Sequence, residues 1–148
     1  MRSVFFSFDW DDVWRSNPVR NSWVTKGNDA RNFRDSADIE KLKRSSDVAV
    51  KNWIDNQLRN TSVTCVLIGS QTYNSRWVRY EINESISRGN GLLGVYIHRI
   101  EDMRGFISPQ GMNPLPNSPL YKIYDWVANN GYENLGDWIE EAARQVGR

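Results

Sequence analysis

A doubly wound α/β fold of flavodoxin-like order follows from three features of the chain. Short apolar runs alternate with amphipathic stretches along its length. Two runs, Cys65 to Ile68 and Leu92 to Ile97, are apolar throughout, as strands covered on both faces require. Five such strands in 148 residues fit one parallel sheet of order 2-1-3-4-5.

The elements follow in order. Val4 to Phe8 is a short, aromatic-rich first strand. Asn17 can cap a helix with Pro18 at its first position, where a missing N–H costs nothing; Val19 and Trp23 then share its inner face. A short strand around Phe33 and a helical piece from Asp38 to Arg44 come next. Asp47 to Leu58 carries Val50, Ile54 and Leu58 at spacing four, a core stripe. Ser62 to Gly69 is the central strand. Trp77 to Arg88 repeats the stripe with Val78, Ile82 and Ile86. Leu92 to Ile97 is the fourth strand. Arg99 to Tyr121 holds Pro109, Pro114, Pro116 and Pro119 with Gly105 and Gly111, so it forms a long irregular loop. Lys122 to Val127 is an edge strand. Tyr132 to Val146 closes the chain as a helix with Leu135, Ile139, Ala142 and Val146 inward.

Composition narrows the function. Nineteen Lys and Arg against 18 Asp and Glu give a net charge of +1. That disfavours a nucleic-acid binder, which must neutralise many phosphates, and leaves no polybasic handle for an anionic membrane. A single cysteine excludes an internal disulfide, and Cys65 with His98 cannot make a zinc site. The first apolar run stops at Asp9, too early for a secretory signal, and no run approaches the ~20 apolar residues of a membrane span. A cytoplasmic, one-domain protein is the expectation.

In such a sheet, ligands sit beyond the carboxyl ends of the strands where the order reverses, here between strands one and three. The loops there begin at Ser7-Phe8-Asp9-Trp10-Asp11-Asp12 and Gly69-Ser70-Gln71. The three aspartates would repel a phosphate, so a flavin phosphate cradle is absent. Gly69-Ser70 lacks the carboxylate of a phosphorylated receiver, and there is neither a G-x-G-x-x-G turn nor a P-loop. The acidic cluster could hold Mg²⁺, but turns and caps account for it more simply. Cys65, mid-strand, reads as a buried apolar group, and His98, closing strand four, as structural. Trp23, Trp53, Trp126 and Trp138 read as core, while Trp10 and Trp14 can reach a ligand.

The stronger signal is Trp77-Val78-Arg79-Tyr80-Glu81. Glu81 lies about 100° around the helix from Ile82 and one turn from Trp77. It should flank the core without entering it, facing a cleft beside an aromatic ring. The competing reading is a solvated carboxylate paired with Arg79, Arg88 or Ser85.

Phe5-Phe6-Ser7-Phe8 resembles the first box of Toll/interleukin receptor (TIR) domains. Ser62 to Ser70, with Asn74-Ser75-Arg76-Trp77-Val78-Arg79-Tyr80-Glu81, resembles their third strand, loop and W-x-x-x-E helix. The likeness is greater still to the TIR-like proteins of bacterial Thoeris anti-phage defence, the ThsB type. There it rests on Thr61 to Thr72, on Val19-Arg20-Asn21-Ser22-Trp23-Val24-Thr25-Lys26 and on Tyr124-Asp125-Trp126-Val127. It is weak between Gly27 and Ser45 and in the proline-rich loop.

The resemblance implies one TIR-like domain over residues 1–148 that cleaves the nicotinamide–ribose bond of NAD⁺. NAD⁺ is then a substrate, and no cofactor or metal is required. It implies a cyclic ADP-ribose-type product that reaches an effector protein as a second messenger, and it leaves room for a phage-derived activator and for self-association. Glu81 matches the catalytic glutamate. Phe6, Ser7, Phe8, Asp9, Trp10, Trp77 and Asn113 are its candidate substrate contacts. The alternative is a TIR-like interaction module without turnover, since fold alone does not decide function.

Overall fold

The computed structural model describes residues 2–32 and 36–148. Strands β1 (Ser3–Phe8), β2 (Asp29–Arg31), β3 (Val63–Ile68), β4 (Gly91–Tyr96) and β5 (Ile123–Asp125) form a five-stranded sheet in the order β2-β1-β3-β4-β5. All four pairings are parallel, with Phe6 opposite Cys65 and Cys65 opposite Leu93. The flavodoxin-like order read from the sequence is the order observed. All six residues of β3 are buried, which is why its sequence does not alternate.

Helices α1 (Val13–Thr25), α2 (Ser36–Lys43), α3 (Asp47–Leu58), α4 (Arg76–Ser87) and α5 (Gly131–Gln145) accompany the sheet. Strand alternation divides β1 between two cores. Val4, Phe6 and Phe8 pack with Val19 and Trp23 of α1 and with Leu135 and Ile139 of α5. Phe5 points the other way, into Val50, Ile54 and Leu58 of α3. On that second face Val66 and Ile68 of β3 meet Val78 and Ile82 of α4. Each fully buried aliphatic side chain contributes about 1.5–3 kcal/mol. Ser46 and Ser75 cap α3 and α4 by accepting from the N–H groups of Ala49 (3.1 Å) and Val78 (3.3 Å). Among the described residues, no helix is long and apolar enough to cross a membrane.

The last strand spans Ile123–Asp125 rather than Lys122 to Val127, the last helix ends at Gln145 with Val146 half-buried beyond it, and four further details differ from the sequence reading. First, α1 starts at Val13 rather than after Asn17, and Pro18 lies inside it. Val13 and Ser16 are buried, so the inner face extends upstream. The carbonyl that Pro18 leaves without an N–H belongs to Trp14, on the solvent side of the helix. Second, the strand that pairs with β1 is Asp29–Arg31; Phe33 lies outside the described residues. Third, the helix read as Asp38 to Arg44 runs from Ser36 to Lys43.

Fourth, the inner face of α4 is Val78, Glu81, Ile82 and Ser85, with Ile86 38% exposed. Residues four apart advance about 400° around the helix, so a spacing-four row drifts about 40° per step and carries Ile86 out toward water. Ile82→Asp is expected to lower stability by about 3 kcal/mol or more, because it buries an unpaired carboxylate. Ile86→Asp is expected to change it by less than about 1 kcal/mol. Urea melts of the two variants check this, and equal losses would place the face wrongly.

Candidate active site

Ser7 is the one polar side chain among the buried residues of β1. Alternation sends it to the α3/α4 face, away from Phe6 and Phe8. There it meets Glu81, held on the inner face of α4 between Val78 and Ser85 and only 1% exposed. The Ser7 hydroxyl donates to Glu81 Oε1 at 2.6 Å. The expectation that Glu81 stays outside the core is therefore corrected: a spacing of three from Val78 places it inward as firmly as a spacing of four places Ile82. Arg88, the alternative partner, bonds Glu84 at 3.5 Å, and Ser85 donates to the backbone carbonyl of Glu81 at 2.7 Å rather than to its carboxyl group. Because the Ser85 proton is committed there, Thr64 Oγ1, 2.6 Å away, is the donor to Ser85 Oγ.

Asn32, just beyond β2, completes the cluster. Its Nδ2 donates to the Phe6 carbonyl at 2.8 Å and reaches Glu81 Oε2 at 3.5 Å. Its own N–H donates to Gln57 Oε1 of α3 at 2.9 Å. Its backbone has φ +77°, a left-handed conformation that asparagine tolerates better than most side chains. Among the described residues Glu81 has no ion-pair partner. Burial pushes its carboxyl up from 4.5 to about 8, and the hydrogen bonds from Ser7 and Asn32 pull the other way. At neutral pH it is mostly a neutral acid.

Around this cluster lie the carboxyl-end loops. Trp10, in a 3-10 turn after β1, touches both cores, and Trp77 packs on the Phe5–Val50–Ile54–Leu58 core with Tyr80 at its edge. The Arg76 guanidinium lies over the Trp77 ring, 4.5 Å from its centroid. Asp9 is half-buried, its carboxyl raised by burial and by Asp11. Asp12 is raised to about 6, by burial first and then by Asp9. Its carboxylate presses on Gly69, and Gly111 of the long loop presses on the Gly69 carbonyl. A β-carbon at either glycine would collide, so these positions hold the switch-point loops in contact. Among the described residues no group of three His, Cys, Asp or Glu side chains could hold a metal ion.

The remaining candidates sit elsewhere. Phe6 and Phe8 are core residues on the opposite sheet face. Asn113 is exposed, and its Oδ1 accepts the Leu115 N–H at 2.9 Å, closing its own turn. Trp14 is 64% exposed and lines a cavity of about 300 Å³ with Asp12, Arg15 and Phe106. Cys65 is fully buried, and burial pushes its thiol up. His98 is buried with the Tyr96 ring at its edge, 5.7 Å away, and burial holds its imidazole below the usual range. Sequence reasoning missed Asn32 and Gln57. The only local signal was an asparagine directly after a short strand, where a left-handed residue can end the run.

Comparison with known proteins matches residues 5–102 to the family described as Thoeris protein ThsB, TIR-like domain. The chain belongs to this ThsB TIR-like family. A Bacillus cereus (strain MSX-D12) relative, "Putative cyclic ADP-D-ribose synthase ThsB1", is 37% identical over 189 aligned positions, which cover 93% of this chain and 98% of the relative. Because the alignment is longer than the 148 residues present, the ThsB1 relative carries segments that this chain lacks. The ThsB match includes Ser7, Asn32, Gln57 and Glu81 and ends before Asn113.

The neutral state of Glu81 makes stability pH-dependent. Its folded-state pKa, about 8, lies above the ordinary 4.5, so the folded chain holds the proton more tightly than the unfolded one. That contribution is complete below about 4.5 and is lost as pH rises toward 8, at up to about 1.4 kcal/mol per pH unit. Glu81→Gln cannot titrate. The stability difference, wild type minus variant, is expected to fall by about 2 kcal/mol or more between about pH 5 and 8. Denaturant melts across that range measure it, and a flat difference would mean an ordinary, hydrated carboxylate.

Proposed function

We propose that the chain is an NAD⁺-processing enzyme of the ADP-ribosyl cyclase type, acting in the cytoplasm in anti-phage defence. The observation that carries this reading is the Glu81 carboxyl, buried beside β1 at the switch point and held by Ser7 and Asn32. The ThsB1 relative's name supports the choice of reaction. In the reaction, the bond between the ribose carbon and the pyridinium nitrogen breaks. Its electron pair goes to the ring, so nicotinamide leaves neutral and needs no general acid. The ribose passes through an oxocarbenium-like transition state, as in glycoside cleavage. An ionised Glu81 stabilises that charge and orients the ribose hydroxyls. Capture by a nucleophile of the substrate's own adenosine end, which loses its proton as the bond forms, gives a cyclic product; capture by water gives ADP-ribose.

A neutral acid is the wrong form for this task, and the substrate itself corrects it. The pyridinium charge of NAD⁺ favours the carboxylate, so binding lowers the Glu81 pKa and expels its proton. The 1% exposure of Glu81 also supports a resting protein that must open before substrate reaches it, in keeping with a phage-derived trigger. The cyclic product would then act on a separate effector. A second reading, a docking module without turnover, draws on the same burial, since a sealed carboxyl can be purely structural.

Two results separate the readings. Glu81→Gln is expected to lose about 10²–10³-fold or more in product formation while remaining folded. In the wild type, kcat/KM is expected to rise with pH on ionisation of Glu81 in the free enzyme, at a pH above the ordinary carboxylate range to the extent that activation leaves the group buried, while the limb in kcat lies lower because the bound cation favours ionisation. Product formation by activated protein, followed by mass spectrometry across pH, measures both. An equally active Glu81→Gln variant would leave the docking reading.

A further inference from the structure

Asn32 carries an unused acceptor beside the Glu81 carboxyl. The orientation of its amide is fixed, because the Phe6 carbonyl can only accept and Nδ2 lies 2.8 Å from it. Oδ1 therefore faces away from that carbonyl. It is buried and has no hydrogen-bond partner, in a side chain only 3% exposed. Buried acceptors are rarely left so. In the ionised form of Glu81 that the reaction uses, the local balance is lopsided: two carboxyl oxygens and Asn32 Oδ1 accept, while Ser7 and Asn32 Nδ2 donate and are already engaged. A ligand that reaches these acceptors once the site opens must bring donors. A phosphate brings none, whereas a pair of neighbouring hydroxyls brings two, matching two acceptors on adjacent side chains.

We propose that Asn32 is a second substrate-contacting residue, and that its Oδ1 and a Glu81 oxygen together grip a vicinal diol, the two hydroxyls of the ribose that bears the scissile bond. The assignment rests on the NAD⁺ reading above and names the part of the substrate that the site recognises. Gln57 is the positioning residue. By accepting the Asn32 N–H at 2.9 Å, it holds the left-handed backbone that aims the amide before substrate arrives. One oxygen on each side chain also leaves the second Glu81 oxygen to the Ser7 hydroxyl. The grip thus fixes the ribose without dismantling the contact that orients the carboxyl.

The test compares wild type with Asn32→Gly, a substitution that suits the positive φ. Both are assayed, activated, on NAD⁺ and on NAD⁺ lacking the 2′- or the 3′-hydroxyl of the nicotinamide ribose. Asn32→Gly is expected to lower kcat/KM on NAD⁺ by about tenfold or more. On the analogue lacking the hydroxyl that Asn32 accepts, it should have little further effect, because the two deletions remove one interaction. If the glycine variant does not fold, Gln57→Ala replaces it and should show the same pattern with a smaller loss. Wild type that leaves NAD⁺ intact overturns the NAD⁺ reading and the grip with it. Wild type that turns NAD⁺ over alongside an equally fast Asn32→Gly overturns the grip alone. So does a variant whose loss is the same on NAD⁺ and on both analogues, since Asn32 is then only structural.

Discussion

A carboxyl group inside the fold is the constraint around which the rest is arranged. Moving an ionised carboxylate out of water without a cationic partner is prohibitive, so Glu81 takes the other course and keeps its proton. Even a neutral acid must be hydrogen-bonded when buried. That requirement explains a serine in the middle of Val4-Phe5-Phe6-Ser7-Phe8 and an asparagine in a left-handed turn beside it. It also explains why so apolar a sheet is built around the site. The strands on either side of Ser7 supply burial that offsets a polar cluster no stability argument would select. Local choices that run against packing rules concentrate at functional sites, and here they share one small volume.

Much of this was legible in the chain. Alternation of apolar runs with helical stripes suffices for the sheet order, because continuous burial of Cys65 to Ile68 leaves that run only a central position. The bounds of α3 coincide with its stripe, since a serine cap and a drop in apolar residues mark both ends. Elsewhere the local signals competed. Pro18 reads as a helix start, yet burial of Val13 and Ser16 rewards about one and a half further turns of contact enough to keep the proline inside. Spacing four on α4 selected Ile86 and passed over Glu81, because a helical row drifts and the choice between three and four is made by the sheet it packs on. Asn32 was invisible for a different reason. Its role depends on a carbonyl 26 residues away and a carboxyl 49 residues away, and no local pattern encodes either.

The aromatic residues show the same division. Phe6 and Phe8 alternate away from Ser7, so β1 can offer its face near Glu81 only Phe5 and Ser7. Rings able to border the carboxyl must come from outside the strand, and Trp10 and Trp77 meet that condition because both pack on the core that contains Phe5. Trp14, in the first turn of α1, shares its cavity with Arg15 and Phe106 instead. Chain neighbours of a site are thus sorted by strand parity and helix face before chemistry acts on them.

Burial of the acid bears on which product the proposed reaction favours. Hydrolysis and cyclisation share the step that breaks the glycosidic bond and part only afterwards, when water and the substrate's own adenosine end compete for the same ribose carbon. Where the site recloses over bound substrate as tightly as it is closed at rest, with Glu81 1% exposed, little water reaches the ribose carbon and the solvent nucleophile begins at a disadvantage. The internal nucleophile has the opposite advantage: tethered to the ribose through the pyrophosphate, it competes at a high effective concentration once the chain folds back. Holding the ribose by two side chains rather than one sharpens this contrast, because a fixed ribose presents its open face in one direction. A site built for hydrolysis would gain from an open, hydrated carboxylate. On the proposed reading, the sealed, proton-holding Glu81 and the unpaired acceptor on Asn32 favour a substrate that supplies its own nucleophile.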